Sequence, residues 1–94
     1  MSAGSIADCG TEILARVIRP QEGNLSVEAA RSILRFQLAS ADIDKVNLLA
    51  SRARTGTLNV EERALLDEYE RVTSLIEVMQ SKARSSLRSA GLQP

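Results

Sequence analysis

The chain has no histidine, one cysteine, no tryptophan and only two other aromatic residues in 94 positions. Each shortage removes a class of chemistry. Without histidine no side chain has an ordinary pKa near neutrality, so Ser-His and Cys-His nucleophile pairs and the commonest metal ligand are excluded together. Cys9 cannot close an internal disulfide and has no second cysteine or histidine with which to share a metal, which suits a reducing compartment. Lacking a base, it reads as an incidental exposed thiol. No glycine-rich phosphate loop and no H-E-x-x-H is present. Only carboxylates and Tyr69 remain as acid/base groups, so the expectation is a non-enzymatic protein with no catalytic residue, no cofactor and no metal.

An excess of one charge is also missing. Twelve Lys and Arg against twelve Asp and Glu leave a formal net charge of zero, so no global field draws in nucleic acid or an anionic membrane. No apolar run approaches the roughly 20 residues that span a bilayer, and no basic segment followed by an apolar core opens the chain. The expectation is a soluble, cytoplasmic protein without a membrane role. The two prolines and five glycines fall mainly between periodic segments, and no stretch alternates with the period of a half-buried strand. The expected fold class is therefore all-α, with three short helices packed along one long C-terminal helix. Residues 1–10 and 89–94 are expected to be disordered ends around a single helical domain at 11–88.

What is present is periodicity. From Asn59 to Leu87 the apolar residues Leu65, Tyr69, Val72, Ile76, Met79 and Ala83 recur at steps of four and three, one stripe of a 3.6-residue helix. Leu66, Leu75, Val78 and Leu87 broaden that stripe beyond a coiled-coil seam, as in a helix with several neighbours. Asn59 and Glu62 have the spacing of a capping box, and Lys82, Arg84 and Arg88 near the end complement the macrodipole. Three shorter helices precede this spine. Thr11–Ile18 carries Ile13, Leu14, Val17 and Ile18 and stops at Pro20. Ser26 caps Val27–Leu38, which directs Ala30, Ile33, Leu34 and Leu38 inward. A third helix, Ala41–Arg54, follows Ser40, with Ile43, Val46, Leu49, Ala50 and Ala53 inward and Gly56 as the left-handed residue after its end. Asp42 and Asp44 fail the calcium-loop pattern, which needs glycine and glutamate where Asn47 and Ala53 stand.

More apolar surface on the spine than three short helices cover points to binding of another protein or to a homodimer. The candidate partner-binding residues are Phe36, off the main stripe of its helix, and Tyr69, Arg71, Leu75, Val78, Gln80, Lys82 and Arg84 on the spine. Lys82 and Arg84 are expected to lie beyond the reach of the short helices. A DNA-binding regulator is the alternative, because two helices joined around Gly56 suggest helix-turn-helix. The acids Glu61, Glu62, Asp67 and Glu68 at the start of the second helix oppose it, since they would repel phosphate.

The segments LSVEAARSIL at 25–34, GTLNVEERALLDEYERV at 56–72 and QSKARSSL at 80–87 resemble a group of short bacterial helical proteins that share L-S-x-E-A-A-R, G-T-L-x-x-E-E, D-x-Y-x-R-V and Q-S-K-A-R. The resemblance covers roughly residues 11–88. It implies a gene standing beside one for an HNH-type nuclease, hence the product of an adjacent gene as partner and an antitoxin-like or accessory role. Asp67, Tyr69, Arg71 and Val72 are followed here by Thr73 and Ser74 where that group carries a glycine and a histidine. The departure removes the one histidine from which an acid/base role would follow.

Overall fold

The computed structural model describes residues 9–93. Four helices follow one another: α1 (Gly10–Ile18), α2 (Val27–Leu34), α3 (Ser40–Arg54) and α4 (Val60–Ser89). The chain is all-helical, and the long C-terminal helix contacts the three shorter ones. It divides into two compact units that share α4: Met1–Phe36 with Ser74–Pro94, and Gln37–Thr73. The expected disorder over 1–10 falls largely outside the described residues.

Local chemistry explains where most helices begin and end. Ser26 Oγ accepts from the Ala29 N–H and starts α2. Asn59 Oδ1 accepts from the Glu62 N–H at 2.7 Å while Glu62 Oε1 accepts from the Asn59 N–H at 3.1 Å, a complete capping box at the head of α4. At the end of α3 Gly56 takes φ 69°, and the Thr57 and Gly56 N–H groups donate to Arg52 O and Ala53 O, closing a Schellman motif. Gly91 does the same for α4, with Leu92 N–H on Leu87 O and Gly91 N–H on Arg88 O. The helix therefore ends at Ser89, two residues later than the periodicity predicts, and the described part of the expected disordered tail carries this motif.

Three boundaries depart from the sequence reading. At α1 the cap is Cys9, whose Sγ accepts from the Glu12 N–H at 3.4 Å while Glu12 Oε1 accepts from the Cys9 N–H. α3 already includes Ser40, with Ala39 at the cap position and no side-chain capping bond. The largest difference is α2, which stops at Leu34 rather than Leu38. Its end is met from α4: the Gln80 side-chain amide has two N–H donors, and it places them on Ile33 O (3.2 Å) and Phe36 O (2.9 Å). Carbonyls satisfied in this way no longer need another helical turn.

Each unit has its own packing. In the first, Ala30 of α2 and Ala83 and Leu87 of α4 are buried together, with Leu25, Val27, Ile33 and Leu34 packed on them. Alanines at the crossing let two helices approach closely. Gly23 answers the same demand, since a Cβ there would stand 2.4 Å from Ser85 O and 2.8 Å from Ser86 N. Ser86, also buried, donates to Lys82 O at 2.8 Å and accepts from the Leu25 N–H at 3.1 Å, which fastens the loop before α2 to α4. In the second unit α3 and the first half of α4 form an antiparallel hairpin. Tyr69 Oη–H donates to Asp42 Oδ1 at 2.6 Å, and Arg52 pairs with Glu62 nearer the turn. Leu49 and Leu66 are its buried apolar residues.

Candidate functional site

The residues expected to bind a partner are divided between the two units. Tyr69 and Arg71 belong to the second, and Phe36, Leu75, Val78, Gln80, Lys82 and Arg84 to the first. Tyr69 is half-buried and committed to Asp42. That hydrogen bond first, then desolvation and the charge of Asp42, hold its phenol above the ordinary pKa. Arg71 is exposed and pairs with Glu68. Leu75 and Val78 are half-buried.

The Q-S-K-A-R segment corrects an expectation. Lys82 does not lie past the short helices: its Nζ donates to Ile18 O at 2.6 Å, and its side chain is half-buried. A cation there suits the negative end of the α1 dipole as well as an orphan carbonyl. Gln80 closes α2, Lys82 closes α1, and Ala83 sits in the buried cluster. Of that segment only Arg84 points outward as expected. The other segments behind the resemblance are likewise spent on the fold, with Ser26, Asn59 and Glu62 as caps, Gly56 as a helix terminator and Ala30 in the core. Phe36, just beyond α2, is 46% exposed while its carbonyl is held by Gln80.

Two features escape the sequence reading. One is the rotation of the first half of α4. Leu66 is 5% exposed whereas Leu65, expected on the central stripe, is 39% exposed and Val72 is open beside it. Glu61, Leu65, Glu68 and Val72, spaced by four, three and four, form one exposed line along the helix. On α3 of the same unit Ile43 and Leu48 are exposed too. No periodicity argument distinguishes Leu65 from Leu66, because both lie within the broad stripe.

The other feature is an open pocket of about 310 Å³ in the first unit. Val17 and Ile18 of α1, Leu25 of the loop, Ile33 of α2 and Met79 of α4 supply aliphatic walls, while Asn24 and Lys82 add polar groups. Val17 is 71% exposed at the surface of α1. The pocket collects residues from four separate segments, and no single spacing in the sequence announces it.

Among the described residues no group of three or more His, Cys, Asp or Glu is placed to hold a metal, and no helix is long and apolar enough to cross a membrane. No family model, no curated protein and no solved structure matches the chain.

Proposed function

We propose that the protein is a non-enzymatic module that binds another protein, and that the exposed line on the first half of α4 is its principal contact. One observation carries this reading: in the second unit two apolar side chains are buried, Leu49 and Leu66, while five large ones stay exposed, namely Ile43, Leu48, Val60, Leu65 and Val72. A surface weighted in that direction is what a partner covers. Leu65 and Val72 lie one above the other with Glu61 and Glu68 beside them, so the complementary surface is an amphipathic helix with apolar anchors and basic flanks. The resemblance supports the product of an adjacent gene, a nuclease of HNH type, as that partner and an antitoxin-like or accessory role for the chain.

The test is co-expression with the adjacent gene's product followed by purification on a tag carried by that product. The reading expects co-elution, lost when Leu65→Lys and Val72→Lys are combined, with helix content unchanged because both positions are already exposed. Failure to co-elute, or co-elution indifferent to the double variant, would remove it. Self-association through the same line is the competing outcome, and sedimentation of the isolated protein at micromolar concentration reads it directly.

A further inference from the structure

The pocket in the first unit stands apart from the partner reading, and its chemistry is specific. Its walls are aliphatic, and Lys82 is the one charged residue among those lining it. The ammonium is held in place, because Nζ donates to Ile18 O at 2.6 Å and so cannot swing freely into solvent. One of its three N–H groups is thereby used and two remain. Among the described residues no carboxylate pairs with Lys82. The Ile18 carbonyl meets one side of this cation and leaves its other two N–H groups for an anionic ligand. Asn24, exposed at the same pocket, adds an amide donor.

From this combination we infer that the pocket binds a short-chain aliphatic carboxylate, with its carboxylate on Lys82 and Asn24 and its hydrocarbon chain against Val17, Leu25, Ile33 and Met79. A single cation balances a single negative charge, which favours a monoanion over a phosphate dianion. The volume, about 310 Å³, lies at the lower edge of the range of roughly 300–1,000 Å³ typical of small-molecule sites, which sets the ligand's size as small.

The experiment titrates hexanoate into the full-length protein carrying labelled methyl groups, with hexanol and acetate as controls for charge and chain. Binding should saturate, and the shifts should concentrate on Val17, Leu25, Ile33 and Met79 while Leu49 and Leu66 stay still. Hexanol and acetate should each bind about tenfold more weakly or worse. Lys82→Met keeps the aliphatic stem and removes the charge, and it should weaken hexanoate about tenfold while leaving hexanol unchanged. Because Lys82 also closes α1, Val17→Asp serves as the second variant: the position is exposed, so the fold is retained, and the new carboxylate should compete for the ammonium and abolish hexanoate binding. Hexanoate that does not saturate, or that binds Val17→Asp as tightly as the parent, overturns the assignment. So does tighter binding of an acetylated dipeptide ending in leucine, which would make the site a receptor for chain termini.

Discussion

Replacing Gly23 by alanine is the sharpest probe of how the first unit is held together. The added Cβ would meet Ser85 O at 2.4 Å, Ser85 C at 2.5 Å and Ser86 N at 2.8 Å. All three are backbone atoms of α4, so no side chain can turn aside and the loop itself must lift. Lifting it strains the bond from the Leu25 N–H to Ser86 Oγ, now 3.1 Å, and with it the seat of α2 on Ala83 and Leu87. Overpacking of this kind costs about 1 to 3 kcal/mol, and the loosened hydrogen bond adds about 0.5 to 1.5 kcal/mol. For a chain of this length each kcal/mol moves the midpoint by about 4 to 8 °C, so Tm should fall by roughly 6 °C or more. Thermal unfolding followed by circular dichroism measures this. Gly10→Ala is the internal control, since nothing lies within 4 Å of its would-be Cβ and alanine favours a helix. A Gly23→Ala variant that melts with the parent would refute the close approach of loop and helix.

Three further substitutions test other elements. Asn59→Ala should lower stability by about 1 kcal/mol through loss of the α4 cap, seen as a fall of several degrees in Tm; an unchanged midpoint would place the helix start elsewhere. Leu87→Ala, at a side chain 2% exposed, should cost about 2 to 5 kcal/mol in urea unfolding, whereas Leu65→Ala should cost little; the reverse order would contradict the rotation of α4 described above. Tyr69 is the only tyrosine, so phenolate absorbance reports it alone. Its folded pKa is raised by Asp42, so its contribution to stability is full below about pH 10 and is lost as pH rises through the folded value. The midpoint should lie above that of the urea-unfolded chain, and Asp42→Ala, which removes both the acceptor and the charge, should bring the two closer.

The sequence was most legible where structure is decided locally. Ser26, Asn59 with Glu62, and Gly56 each act within a few residues of themselves, and each does what its position predicts. The end of α2 was illegible because its terminator is Gln80, more than forty residues away and indistinguishable in sequence from a solvated glutamine. Lys82 misled for the same reason: near a helix end it reads as dipole compensation for its own helix, yet it closes α1. Periodicity located the stripe of α4 and its phase around Ala83, but not its phase in the first half, where Leu66 rather than Leu65 is buried. The pocket needed tertiary structure altogether, since its walls come from α1, a loop, α2 and α4.

The central claim is that a partner protein covers the exposed line Glu61, Leu65, Glu68 and Val72. Methyl spectra of the labelled protein, recorded while the adjacent gene's product is added, test it most directly. The account predicts that the Leu65 and Val72 signals shift and broaden first, with Ala83 and Leu87 unmoved in their buried cluster. A saturating complex in which Leu65 and Val72 do not respond would contradict it.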